Sequence, residues 1–218
     1  MKLGNILFIH IPRTAGTHFE KLLGFKGHDT PPRCGNIDYG ANRKEIMGWD
    51  KELKIMLQHA TYSQLIKHQL IVAPEDLIKV SIIRNPYHRT VSLYKYFGGA
   101  KKWKSFSIFL DILKQKLQFR YFYLPQYKYL EHEGELAIDN IIRFENYFAD
   151  ATAFREKYKL DFEIRFNENK QAKKSALNFK EFYSKKEHLL RVENIYRTDF
   201  ELFGYPIAKQ PIKIITQL

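Results

Sequence analysis

Residues Pro12-Arg13-Thr14-Ala15-Gly16-Thr17 place one cation, two hydroxyls and a glycine within six positions, directly after an apolar run. A turn of small residues between a strand and a helix exposes main-chain N–H groups, and the helix start adds partial positive charge. Arg13 brings a fixed cation with forked donors, Thr14 and Thr17 bring hydroxyl donors, and Gly16 permits close approach. Such a stretch can bind an anion or be an ordinary strand-to-helix turn with a surface arginine, and the Gly-Lys-Ser/Thr ending of a nucleoside triphosphatase loop is missing. A second stretch, "RNPYHRTVSLY" from Arg84 to Tyr94, sets an arginine at a strand tip and Ser92 eight residues later. Both can face one phosphate across the first two turns of a helix. Asn85 as a cap and Pro86 at the first helical position explain those two residues without any ligand. Arg89 either assists on the same helix or is simply solvated. Between the two stretches lies His59 in "LQHATYSQL". Imidazole titrates near neutrality and suits general-base work, although a histidine at a strand end is also an ordinary structural residue. His18, directly after the loop, and His10, within the strand and expected to be buried and hydrogen-bonded, are the rival bases.

The elements that must position these residues are legible from periodicity. Asn5 to Ile11 reads as a buried strand stopped by Pro12, and Asp76 to Pro86 holds a second. Shorter strands are expected over Lys54 to Gln58 and Ala137 to Phe144. Helices are expected over Thr17–Leu23, Ala60–His68, Pro86–Tyr96, Phe106–Leu117, Asn146–Tyr158 and Phe179–Phe203. Residues 24–50 lack periodicity and read as a long loop. Strands alternating with helices predict an α/β fold with a mostly parallel sheet, in which ligands collect at the carboxyl ends of strands. At 218 residues the chain suits a single domain, 1–218.

Composition narrows the partners. Hydrophobic residues at 44%, with 17 Phe and 14 Tyr, supply a core and exclude a disordered or fibrous chain. Cys34 is the single cysteine, which excludes an internal disulfide and a cysteine metal cage. No apolar stretch approaches the roughly 20 residues that span a bilayer, and the first residues lack a secretory core, so a soluble or cytoplasmic protein is expected. A net charge of +12 implies an anionic partner: nucleic acid, anionic lipid, acidic polysaccharide or a multiply charged small cofactor. No helix-turn-helix, zinc-finger or RNP signature supports specific nucleic-acid binding.

The segment "FIHIPRTAGTHFEKLL" resembles the 5′-phosphosulfate loop of sulfotransferases that use 3′-phosphoadenosine-5′-phosphosulfate (PAPS). "VSIIRNPYHRTVSLY" is similar to their 3′-phosphate motif, an arginine with a serine eight residues on. The group most resembled is that of the carbohydrate O-sulfotransferases, which includes heparan sulfate 2-O-sulfotransferases and bacterial and viral relatives. "LPQYKYL", "AIDNIIRFENYFAD" and "IYRTDFELFGY" resemble later landmarks of that group, so the likeness runs from Leu7 to Tyr205.

The resemblance implies a P-loop-like three-layer fold with a central mostly parallel sheet flanked by helices. It implies in-line transfer of a sulfuryl group from PAPS to an acceptor hydroxyl, that of a glycan or a similar molecule, releasing adenosine 3′,5′-bisphosphate (PAP) without a metal. On this reading Arg13, Thr14, Ala15, Gly16, Thr17 and His18 hold the 5′-phosphosulfate, and Arg84 with Ser92 holds the 3′-phosphate. Asn169 and Lys170 belong to a late loop that closes over the cofactor, and His59 is the general base. Most relatives carry lysine where this chain has Arg13; protein-tyrosine sulfotransferases carry arginine there. Arg13 is therefore read as a catalytic electrostatic clamp that cannot shuttle a proton. The alternatives are a catalytically degenerate member of the fold and a basic polyanion-binding protein. The "YKYFGGAKKWK" segment, Tyr94 to Lys104, would suit the wall of a sugar site.

Overall fold

The two strong apolar runs become neighbouring strands of one sheet. The structure, a computed structural model, describes residues 1–25, 41–117, 121–162 and 181–208. In chain order the first elements are strands β1 (Lys2–Leu3) and β2 (Ile6–Ile9), helix α1 (Gly16–Leu22), and strands β3 (Trp49–Asp50) and β4 (Ile55–Met56). Helix α2 (Tyr62–Lys67), strand β5 (Ile78–Ile83) and helices α3 (Pro86–Tyr96), α4 (Gly99–Trp103), α5 (Phe106–Gln115) and α6 (Tyr127–Leu130) follow. Strands β6 (Glu131–His132), β7 (Glu135–Leu136) and β8 (Asn140–Arg143) precede helices α7 (Tyr147–Lys157) and α8 (Lys186–Leu202). The chain divides into two compact units, Met1–Ile83 with Lys128–Ile164, and Arg84–Tyr127 with Arg165–Leu218.

The first unit holds the main sheet, in the order β1-β2-β5-β8. β1 runs antiparallel to β2, whereas β2–β5 and β5–β8 are parallel, which makes this an α/β fold with a mostly parallel sheet. All four residues of β2 are buried, as expected of a strand covered on both faces. The Ser81 hydroxyl on β5 donates to the Ile9 carbonyl at 2.7 Å, which ties the ends of β2 and β5 together. Phe19 of α1 is fully buried and packs edge-on against Phe8 of β2, with centroids 5.1 Å apart, and near Phe154 of α7. The expected strand over Lys54–Gln58 shrinks to β4, because Leu57 to His59 winds into a single 3₁₀ turn. Buried Leu57 anchors that turn, its N–H bonded to the Gly48 carbonyl at 2.8 Å.

The second unit is helical and rich in aromatic residues. The stripe Phe106, Phe109, Leu110 and Leu113 of α5 is buried as its helical spacing predicts. Phe109 meets Tyr94 at 5.5 Å, Trp103 at 5.8 Å and Tyr123 at 6.1 Å between ring centroids. α3 and α8 pack against each other, with the Tyr87 hydroxyl donating to the Glu193 carboxylate. The long helix expected over Phe179–Phe203 is broken at Tyr183 to Lys185: Glu181 and Phe182 are helical, α8 starts at Lys186, and residues 179–180 lie outside the described residues. Fully buried Tyr183 lies before α8 and donates its hydroxyl to the Tyr87 carbonyl at 2.9 Å, a contact made from outside the helix.

Phe109→Ala should lower stability by about 3–5 kcal/mol, the range for emptying a large aromatic site that cannot collapse. A urea midpoint unchanged from wild type would contradict this packing.

Candidate active site

The turn after β2 carries backbone strain. Arg13 has φ 71° and Ala15 has φ 73°, both left-handed and neither glycine. Each such residue costs roughly 1–2 kcal/mol, and conformations of this kind cluster where a ligand or mechanism requires them. Left-handed residues alternating with others turn successive N–H groups toward one side, the geometry of an anion-binding nest. Thr14 is fully buried and its hydroxyl donates to the Ile11 carbonyl at 2.8 Å, so that donor holds the turn itself. The His18 N–H bonds the Ala15 carbonyl at 3.0 Å and closes the first turn of α1. Arg13 and Ala15 are half-buried and Thr17 is exposed.

Gly16 is glycine because of His10. A Cβ placed on Gly16 would lie 2.1 Å from His10 Cδ2 and 2.3 Å from its Nε2. The imidazole of His10 therefore lies flat against the turn, and no larger residue fits. The ring is buried, stacks on Phe8 at 5.6 Å, and bonds through Nδ1 to the Glu20 carboxylate, one turn further along α1. The expectation that His10 is buried and hydrogen-bonded holds. Glu20 escaped sequence reasoning. Its signal is a carboxylate four positions after Gly16, hence above it on the same helix face, beside apolar Phe19 and Leu23.

His59 reaches the same cluster from the 3₁₀ turn. Its ring lies edge-on to His10, with centroids 4.5 Å apart, and its Nδ1 is 2.9 Å from the His10 main-chain oxygen. A carbonyl only accepts, so Nδ1 carries the hydrogen and a neutral His59 keeps its lone pair on Nε2. The chain leaves the turn straight into a capping box. The Thr61 hydroxyl accepts from the Gln64 N–H at 3.1 Å, and the Gln64 side chain accepts from the Thr61 N–H at 2.9 Å. That cap fixes where α2 starts and so where His59 stands. His18 points elsewhere: its Nδ1 meets the Tyr147 hydroxyl at 2.8 Å, which ties α1 to α7. Burial pushes the Tyr147 hydroxyl well above its ordinary range, so it remains a neutral phenol.

In the second unit Arg84 opens the segment that leads into α3. Its N–H donates to Gln126 Oε1 at 2.8 Å and its carbonyl accepts from Gln126 Nε2 at 2.8 Å. Asn85 caps α3, its side chain accepting from the Tyr87 N–H at 3.0 Å, and Pro86 occupies the first turn. Ser92 is half-buried on α3, six residues and about 9 Å of helical rise after Pro86. Arg89 is not solvated. It is buried, and its guanidinium donates to the Leu124 carbonyl at 2.9 Å and the Phe122 carbonyl at 3.1 Å, over the Tyr196 ring. Burial, helped by the Arg84 charge, lowers His88 to about 4. Asn169 and Lys170 lie outside the described residues.

A family model described as the sulfotransferase family matches residues 3–206. The chain belongs to that family. No curated protein and no solved structure matches it. Membership makes the protein a transferase of sulfuryl groups, with a nucleotide sulfate donor and an acceptor substrate. Among the described residues of the sulfotransferase, no group of three or more His, Cys, Asp and Glu is placed to hold a metal ion, and no helix is long and apolar enough to cross a membrane.

Gly16→Ala should destabilise this sulfotransferase by about 1–3 kcal/mol, the usual cost of overpacking. Adding His10→Ala should recover part of that loss in a double-mutant cycle; strictly additive losses would contradict the contact. His88 folds with a pKa below its unfolded value, so its contribution to stability is complete above about 6.5 and is lost as pH falls toward 4. His88→Asn should flatten that acid limb in denaturation curves taken across the same window.

Proposed function

We propose that this sulfotransferase transfers the sulfuryl group of PAPS to a carbohydrate hydroxyl, with His59 as general base. The observation that carries the reading is the His10 junction. One residue seals the strained turn at Gly16 and, through its carbonyl, sets the tautomer of His59. A turn shaped for an anion and an imidazole with its lone pair on Nε2 are the two parts that sulfuryl transfer to a hydroxyl requires.

The residues fit such a donor. Main-chain N–H groups from Arg13 to Thr17 and the Arg13 guanidinium would hold the 5′-phosphosulfate, with Thr14 fixing the turn from beneath. Arg84 and the Ser92 hydroxyl would take the 3′-phosphate, the group that separates this nucleotide from ATP. When bound, PAPS supplies a sulfuryl group joined to a good phosphate leaving group. The chain then has three tasks. His59 Nε2 accepts the proton of the acceptor hydroxyl, and the His10 carbonyl, bonded to Nδ1–H, favours the imidazolium so formed. Arg13 stays protonated and neutralises charge gathering on the bridging and sulfuryl oxygens. Glu20 holds the His10 ring against Gly16, so the turn and the base keep their places.

A glycan acceptor is supported by the resemblance to carbohydrate O-sulfotransferases and by the net charge of +12, which suits an already anionic sugar chain. The Tyr94–Lys104 segment adds exposed Tyr96, half-buried Trp103 and the exposed Lys101, Lys102 and Lys104, a surface of aromatic faces and cations.

By calorimetry, PAP should bind more tightly than ATP. Arg84→Ala should weaken PAP by about 1.5–3 kcal/mol, the range for a hydrogen bond to a charged group. His59→Ala should abolish sulfate transfer to glycan acceptors, followed with labelled donor, while PAP affinity stays near wild type. Equal affinity for PAP and ATP, or full turnover in the His59 variant, would refute the respective assignment.

A further inference from the structure

Two of the sequence segments whose roles the site leaves open, "LPQYKYL" and "IYRTDFELFGY", meet through residues that belong to the second unit. Gln126 comes from the first and Asp199 from the second; both are fully buried and 73 residues apart. Gln126 spends both ends of its carboxamide on the main chain of Arg84, accepting from its N–H and donating to its carbonyl, each at 2.8 Å. β5 ends at Ile83, so the N–H and carbonyl of Arg84 lie just past the sheet ladder, and buried main-chain groups there need a partner. The Gln126 amide supplies the missing rung.

Asp199 decides which way round that amide sits. Its Oδ2 accepts from the Gln126 main-chain N–H at 2.8 Å and faces Gln126 Nε2 at 3.5 Å, while Oδ1 accepts from the Tyr127 N–H at 2.9 Å. A flipped carboxamide would set its oxygen against a carboxylate and its NH₂ against the Arg84 N–H, two repulsive contacts in a dry interior. Arg89 pins the same segment from α3, through the carbonyls of Phe122 and Leu124. The backbone of Arg84 is thus held on both polar atoms by the Gln126 side chain, whose own segment is anchored from α3 by Arg89 and from α8 by Asp199.

We propose that Gln126 and Asp199 are positioning residues for Arg84, setting where its guanidinium meets the 3′-phosphate of the nucleotide. This rests on the reading of Arg84 as the 3′-phosphate ligand. A charge-assisted, forked contact depends on placement to within an ångström or so, which a freely rotating loop arginine would not provide. Neither residue touches the nucleotide in this scheme; they act through Arg84.

The test is selectivity. Dissociation constants for PAP and for adenosine 5′-monophosphate are measured on wild type, Gln126→Met, Asp199→Asn and Arg84→Ala. Wild type should prefer PAP. Gln126→Met should cut that preference by about tenfold, toward the Arg84→Ala value, with 5′-monophosphate affinity nearly unchanged; Asp199→Asn should act in the same direction. A folded Gln126→Met or Asp199→Asn protein with the wild-type preference, even at a lowered melting temperature, overturns the proposal and reduces the cluster to a stability role. A wild type without preference for PAP removes the 3′-phosphate reading, and this inference with it. Amide exchange of wild type gives a readout that needs no variant: the Arg84 N–H should exchange slowly, and exchange at open-loop rates would overturn the clamp.

Discussion

One contact organises the turn after β2 in this sulfotransferase: the imidazole of His10 pressed against Gly16. Because a Cβ there would fall 2.1 Å from the ring, the turn can approach β2 only at a glycine. Just before it, Arg13 and Ala15 adopt left-handed conformations. Such strain persists only where surrounding structure over-determines it. Here the over-determination comes from the buried Thr14 hydroxyl on the Ile11 carbonyl and from the Glu20 carboxylate on the other edge of the His10 ring. The same residue offers its main-chain oxygen to His59. The strained turn and the His59 imidazole are therefore set by opposite ends of a single amino acid.

The second unit solves a similar problem with different groups. There Arg84 is fixed through its main chain, by a carboxamide whose own orientation is imposed by a buried carboxylate. Desolvation outweighs the lowering effect of the bonds from Gln126 and Tyr127, and Asp199 is raised to about 6. Above that value it is an anion that accepts main-chain N–H groups. In both units buried polar side chains spend their hydrogen-bonding capacity on the backbone next to the site. A fully satisfied network of this kind rigidifies what it holds.

The two arginines of the "RNPYHRTVSLY" segment show how far a motif can be read. They lie five residues apart with the same formal chemistry. Both are buried, but Arg84 follows β5 with its main chain bonded to Gln126, whereas the guanidinium of Arg89 in α3 donates to two carbonyls of a distant stretch of chain. Nothing in the local spacing separates these fates, because the partners a buried guanidinium meets are decided by what packs over it. His59 behaves in the same way. The expected strand end became a 3₁₀ turn once Leu57 was buried, and the tautomer followed from a carbonyl 49 positions away.

What the sequence alone determined was local or periodic. The apolar run at Ile6–Ile9, the proline that ends it, the Asn85-Pro86 cap, the α5 stripe at Phe106, Phe109, Leu110 and Leu113, and the α/β class all follow from neighbours within a few residues. The spacing of Arg84 and Ser92 and the composition of the Pro12–Thr17 turn carried the family resemblance in the same way. Only the tertiary structure decided that Glu20 and His59 meet at His10, that Gln126 is the partner of Arg84, and that Asp199 is the partner of Gln126. These pairings span from 10 to 73 positions of chain. They exist because folding trades the hydration of buried polar groups for specific partners, and which partners come within reach is set by how helices and strands pack, not by the order of residues along the chain.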